Sequence, residues 1–296
     1  MAAPTTDTGS TVPRRQLGRH LRHLREKAGI TVVAAAEALE WSGPRIWRVE
    51  KGMVPMRVLD VLNMCEIYEA DARTTETLVA LAKETRARGW WHSYNGAIPK
   101  WFDVYIGLEA AASRLRTYEP ELIPGLLQTE AYATEVIRLL PGATDDEVAK
   151  RISLRRHRQR LLLRTQPPAP HLDFVLNEAA LRRPLRPPAV HAAQLRHLAA
   201  VSAYPNLTLR VLPLSAGLTR AVLASGSFTI LDFPPGGNGE PGEPTTVYCA
   251  DGLTGALYLD QRAEVEAYED IWRAVVEASL SAPDSRARIT ELAEET

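Results

Sequence analysis

Cysteine is nearly missing: Cys65 and Cys249 are the two that the chain has in 296 residues. Far apart and in unrelated contexts, they exclude a secreted disulfide scaffold, and each reads as a small buried hydrophobe. No Cys-x-x-Cys and no His-Glu-x-x-His occurs, so neither a metal nor another cofactor is expected. The nucleophile-elbow pattern Gly-x-Ser-x-Gly and the phosphate-loop pattern Gly-x-x-x-x-Gly-Lys-Ser/Thr are also missing. The glycines from Gly236 to Gly242 lie between two expected strands, among prolines and a glutamate, and read as a loop. No constellation therefore supports an enzyme. No apolar run reaches the ~20 residues needed to cross a bilayer, and no apolar leader opens the chain. The expectation is a soluble, cytoplasmic protein.

Net charge is −1, which gives no global sign for an acidic partner. The distribution does. Residues 1–60 carry ten Arg or Lys against six Asp or Glu, whereas residues 260–296 carry four against ten. Any nucleic-acid surface is local and N-terminal.

The N-terminal pattern is organised around residues 17–50. Residues 1–12 read as disordered. A helix over about 14–28 places Leu17, Leu21, Leu24 and Ala28 on one face, with Arg15, Arg19, Arg22 and Arg25 projecting elsewhere. Gly29 suits a left-handed C-terminal cap, and Thr31 caps a short alanine-rich helix over 31–39. Glu40-Trp41 breaks it. Ser42 caps a third helix with Pro44 in its first turn, and Gly52 ends that helix. Two short helices across a tight break describe a helix-turn-helix, whose second helix enters the major groove. Arg45 is the best candidate for a base edge, because arginine reaches guanine O6 and N7 together. Gly43 permits close approach. Arg48 can reach a phosphate or pair with Glu50 or Glu37. Lys51, Arg19 and Arg22 are candidates for phosphate contacts, as are the helix starts at Thr31 and Ser42. Trp47 reads as an anchor between helices, the other option being an exposed stacking group. Helices over about 56–69 and 74–88 complete an all-α domain over 14–88. Two half-sites predict a homodimer.

Residues 89–285 read as an α+β domain with a mostly antiparallel sheet. Residues 108–118 read as helical, as do 129–140 and 145–164. The last of these carries six arginines, which suit a solvated outer face, a second nucleic-acid contact or a protein contact. Strands are expected over 171–176, 206–212, 227–233, 245–250 and 256–259, with a helix over 188–203. A final helix over 261–280 would bury Val265, Tyr268, Ile271, Trp272 and Val275. The loop 119–128 and the region 251–258 are candidate functional surfaces, with Glu119, Gln128, Asp251, Thr254 and Tyr258 as partner or ligand contacts. Their prolines and glycines equally suit turns that only fix the chain path.

The stretch LGRHLRHLREKAGITVVAAAEALEWSGPRIWRVEKG resembles the XRE, or phage-repressor-like, helix-turn-helix family. Leu24, Arg25, Thr31, Ser42, Ile46, Arg48, Glu50 and Gly52 match its pattern; Val32 and Trp47 stand where it usually has glutamine and serine. The remainder is similar to domain of unknown function 5753 of actinobacterial regulators, of the kind found in Streptomyces. Trp90-Trp91, Tyr105-Ile106-Gly107-Leu108-Glu109, Arg116-Thr117-Tyr118-Glu119-Pro120, Ile123-Pro124-Gly125-Leu126-Leu127-Gln128-Thr129, Asn177-Glu178-Ala179-Ala180-Leu181 and Asp251-Gly252-Leu253-Thr254-Gly255 carry that resemblance. It implies a lambda-repressor-like domain on double-stranded DNA, nucleoid-associated when bound. It also implies a small partner protein of the domain-of-unknown-function 397 type. A small-molecule sensor, or an antitoxin-like interaction module, is the other reading of the second domain.

Overall fold

The computed structural model describes residues 11–85, 90–94, 99–220, 226–235, 242–251 and 255–296. It divides into two compact units, Met1–Ser93 and Tyr94–Thr296.

The first unit is all helical: α1 (Thr11–Lys27), α2 (Val32–Ala38), α3 (Gly43–Glu50), α4 (Val58–Ile67) and α5 (Ala72–Glu84). The first helix begins at Thr11, inside the stretch read as disordered; residues 1–10 lie outside the described residues. Leu17, Leu21, Ile46, Val49, Val61, Met64 and Leu78 form its core. Gly29, at φ 70, ends α1: its N–H reaches Glu26 O at 3.0 Å, and Ile30 N–H reaches Arg25 O at 3.0 Å. That is the paired closure of a Schellman cap. Glu40, at φ 54, closes α2 in the same way, with Trp41 N–H on Ala36 O at 2.8 Å.

Two glycines set how closely α1 lies against α3. A Cβ on Gly18 would stand 2.5 Å from Val49 O and 2.6 Å from Glu50 O. One on Gly52 would stand 2.6 Å from Arg15 Cα. Backbone atoms cannot swing aside as a side-chain tip can. Gly18→Ala is therefore expected to cost about 1–3 kcal/mol, as overpacking does, even though alanine favours helix. Denaturant melting of the full chain measures it; an unchanged or raised midpoint for the N-terminal transition would contradict the close approach.

The second unit opens with α6 (Lys100–Ala111) and then β1 (Arg114–Glu119), α7 (Glu130–Arg138), α8 (Asp145–Gln159), β2 (His171–Asn177), α9 (Glu178–Arg182) and α10 (Pro188–Val201). It continues with β3 (Leu207–Leu212), β4 (Phe228–Asp232), β5 (Thr246–Asp251), β6 (Gly255–Leu259), α11 (Arg262–Glu277) and α12 (Ala282–Glu295). The six strands lie in the order β3-β2-β1-β4-β5-β6. Three pairings, β1–β4, β4–β5 and β5–β6, are antiparallel. The pairings β1–β2 and β2–β3 are parallel, and helices make each crossover. The sheet is thus mostly antiparallel, with a parallel half built from βαβ units.

Two expectations need correction. Residues 114–118 were read as helix. They are strand, because Arg114–Glu119 is bonded on both sides, to β2 and to β4, at the centre of the sheet. The preceding alanines carried the helical pattern past its true end at Ala111. After the final expected helix comes another, α12. Its Ser285 is fully buried, and its hydroxyl accepts Val211 N–H at 2.9 Å, satisfying a donor on the edge strand β3.

Tyr118, Val175, Phe228, Ile230 and Val247 form one face of the sheet, packed with Trp272 and Val275 of α11. Val265, Tyr268 and Ile271 join that cluster, so the expected stripe is the buried one. The opposite face is different: Thr117 and Thr229 share a hydrogen bond of 3.1 Å across β1–β4, and Tyr248 lies opposite Thr229 on β5. The loop read at 236–242 falls almost wholly outside the described residues.

Candidate nucleic-acid interface and regulatory site

The helix-turn-helix is α2 and α3. Thr31 caps α2, its hydroxyl accepting Ala34 N–H at 3.1 Å. Ser42 holds the N-cap position of α3 but makes no side-chain cap bond. Pro44 removes one of the two N–H groups that such a cap uses, and Arg45 N–H is bonded to the Ser42 carbonyl at 2.9 Å. The exposed Ser42 hydroxyl is left uncommitted to the helix.

Ile46, Val49 and Glu50 seal the inner face of α3. Pro44, Arg48 and Lys51 lie on the opposite, exposed ridge, beside Gly43. Among the described residues Arg48 Nε reaches only the Pro44 carbonyl of its own helix, at 3.3 Å. Glu50 is not its partner. Arg45 sits on the flank: its guanidinium lies 3.6 Å from the Trp41 ring centroid and pairs with Asp60 at 3.3 Å. Trp47 is not an anchor between helices. It is 52 % exposed, because its position falls on the outer side of the helix.

Helix α1 divides its arginines. Arg22 is exposed and pairs with Glu26 at 2.8 Å; Arg19 is half-buried. Arg15 and Arg25 do not project away from the core but are buried. Arg25 makes a two-pronged pair with Glu50, Nε–Oε1 2.6 Å and Nη2–Oε2 3.0 Å, and its third nitrogen reaches Ile30 O at 2.9 Å. The pair raises the Arg25 pKa through the Glu50 hydrogen bonds and charge. Beside it the buried Tyr68 hydroxyl has no hydrogen-bond partner among the described residues, and burial, with the Glu50 charge, pushes it up to about 12.

In the second unit the expected contact residues do not form one surface. Gln128 is only 2 % exposed. Its amide donates to Ile123 O at 2.6 Å and accepts from Arg155, while Gln159 and Gln194 hold the neighbouring carbonyls of Gln128 and Leu127 at 2.7 Å each. These bonds clamp the 123–128 end of the loop, and Gln128 presents almost no surface. Tyr258 is half-buried, its hydroxyl donating to Trp101 O at 2.5 Å. Asp251 ends β5 and pairs with Gly255 in the ladder, its side chain lying outside what is described. Thr254 lies outside the described residues.

Glu119 ends β1 and pairs with no cation among the described residues. Although it keeps some surface, burial pushes its carboxyl from 4.5 up to about 8. A carboxyl raised on folding binds its proton more tightly when folded, so its contribution is fully present below pH 4.5 and is lost as pH climbs towards 8. The wild type is therefore expected to lose more stability between pH 5 and pH 9 than Glu119→Gln. Denaturant midpoints at both pH values test this; equal losses would contradict it.

Sequence reasoning missed the arginines of α8. Arg158 is part-buried in a two-pronged pair with Glu109, Nε–Oε2 2.8 Å and Nη2–Oε1 2.7 Å, beside Phe102 and Tyr105. Burial alone would lower its pKa, but the Glu109 carboxylate raises it overall. Arg155 turns onto Gln128, and Arg164 binds the Ala110 carbonyl at 2.7 Å. The signal was there: Arg151, Leu154, Arg155 and Arg158 recur at helical spacing on one stripe. Among the described residues no group of His, Cys, Asp or Glu could hold a metal ion, and no helix is long and apolar enough to cross a membrane.

A short helix pair with a sealed inner face and a cationic outer ridge defines a helix-turn-helix DNA-binding regulator, and residues 16–78 match the family described as Helix-turn-helix domain. The chain belongs to the family described as Domain of unknown function (DUF5753), matched over residues 102–291. No curated protein and no solved structure matches it.

Proposed function

We propose that the protein is a sequence-specific regulator of transcription that binds double-stranded DNA as a homodimer. In this reading α3 enters the major groove and the second unit governs that act. The observation that carries it is the outer ridge of α3, where Arg48 and Lys51 stand exposed opposite a fully sealed face. Arg48 takes the base-edge role, because Arg45 is already held by Trp41 and Asp60. Arg22, Arg19 and Lys51 serve phosphates, together with the Ser42 hydroxyl and the start of α2 at Thr31, while Gly43 permits close approach. The signal reaches the second unit as a small molecule or as a small protein of the domain-of-unknown-function 397 type.

Genomic fragments selected by the full chain, titrated against random duplex at moderate salt, test the reading. A cognate preference that Arg48→Ala reduces by about tenfold, on the 1–3 kcal/mol scale of a base contact, is expected. Arg22→Ala should weaken both duplexes alike. No preference for any genomic duplex would overturn the reading. Equal losses on both duplexes in Arg48→Ala would remove the base-reading role from that residue.

A further inference from the structure

A half-enclosed cavity of about 230 Å³ lies between the start of α6, the end of α7 and one stripe of α8. Phe102, Val136 and Leu154 are among its apolar walls, and Arg151, Arg155 and Arg158 all line it. These three cations are not equivalent. Arg158 is neutralised by Glu109. Arg155 hydrogen-bonds the amide oxygen of Gln128, and among the described residues neither it nor Arg151 pairs with a carboxylate. Two arginines without a carboxylate partner among the described residues thus line an apolar hollow. Burial, together with the neighbouring Arg158 and Arg151 charges, pushes Arg155 down to about 10. Part-buried charges beside apolar walls are ordinarily paired, so an anion would complete this arrangement.

We propose that the cavity binds a small monocarboxylate with a short apolar body, its head on Arg151 and Arg155 and its body against Phe102, Val136 and Leu154. The apolar walls disfavour a bare inorganic anion, and the two guanidiniums disfavour a neutral hydrocarbon. Size agrees: an apolar cavity of ~150 Å³ takes a benzene ring, so this one takes a somewhat larger body. Guanidinium forks match a carboxylate in shape as well as charge. The proposal rests on reading the second unit as the regulatory half, and it names the class of signal that half receives.

Calorimetric titration of the full chain with octanoate, octan-1-ol and inorganic phosphate tests it. Octanoate should bind saturably at one site per chain, and octan-1-ol and phosphate at least tenfold more weakly. Arg151→Met should weaken octanoate at least tenfold and leave octan-1-ol unchanged; Arg151 makes no hydrogen bond or ion pair among the described residues that this would break. Val136→Trp should abolish octanoate binding by filling the hollow. Absence of saturable octanoate binding, equal affinity for octanoate and octan-1-ol, equal affinity for phosphate, or indifference to Arg151→Met would each overturn the proposal. If Val136→Trp fails to fold by circular dichroism, Arg151→Met decides alone. Duplex binding by the same samples separates the two readings. Octanoate binding without any DNA preference sinks the regulator and keeps the site, and the reverse result does the opposite.

Discussion

Replacing Arg25 with methionine is expected to unfold the N-terminal unit or bring it close to unfolding. Arg25 and Glu50 are both buried, and the arginine meets both carboxylate oxygens, at 2.6 Å and 3.0 Å. Removing the cation strands a carboxylate that is only 8 % exposed. Breaking one side of such a pair costs about 3–5 kcal/mol, a large share of what a small domain has in total. The Ile30 carbonyl loses its charged donor at the same time. Glu50 also closes the last turn of α3, so the loss falls on the element that carries the outer ridge. The double substitution Arg25→Met with Glu50→Met removes both charges and should recover most of the stability, because apolar groups of similar volume often replace a buried pair at little cost. A double-mutant cycle by denaturant melting separates the pair from the packing of the two stems. If Arg25→Met alone loses less than about 1 kcal/mol, the pair is not buried in solution as it is here.

The same pair shows where sequence reading succeeds and where it stops. The caps of α1 and α2, the three short helices and the stripe of α11 were legible because each depends on residues within a few positions of one another. Gly29 and Thr31 announce their conformations locally. Arg25 and Glu50 do not: 25 positions separate them, and arginines at Arg15, Arg19, Arg22 and Arg25 look alike in a helical projection. Their division into buried and exposed depends on which helix crosses α1, and at what angle. Gly18 was the overlooked clue, since a glycine inside an otherwise good helix is a site where another backbone can come close. In the second unit the strands with period-two alternation were legible. Residues Arg114–Glu119 were not, because a strand buried at the centre of a sheet draws on partners at β2 and β4 rather than on its own pattern. The burial of Gln128 was illegible for a related reason. Gln128 sits in a loop rich in proline and glycine, which suggested a surface, yet three glutamines bind that loop's carbonyls into the interior.

Arg158→Met should destabilise the second unit by about 3–5 kcal/mol, for the reason that applies to Arg25 but with a different neighbourhood. Glu109 is 2 % exposed, and Arg158 is its partner on both oxygens. The guanidinium also stands 5.0 Å from the Phe102 ring centroid and 5.6 Å from that of Tyr105. The Tyr105 ring in turn lies tilted against Tyr248 on β5, centroids 4.2 Å apart, so the pair ties α6 and α8 to the sheet through aromatic contacts. Lysine should not rescue the position: an ammonium cannot serve two carboxylate oxygens and lie flat over a ring at once. Glu109→Gln with Arg158→Met should restore part of the loss by removing the stranded charge, which a chemical denaturation series on the full chain would resolve. The comparison with Arg151→Met is decisive for the cavity. Arg158 is already neutralised, so its loss should appear first in stability, whereas the loss of Arg151 should appear in ligand affinity with stability unchanged or raised, because a like charge has been taken from beside Arg155. Should Arg151→Met instead lower the denaturation midpoint as much as Arg158→Met does, the three arginines form one structural cluster, and none of them is held ready for an anion.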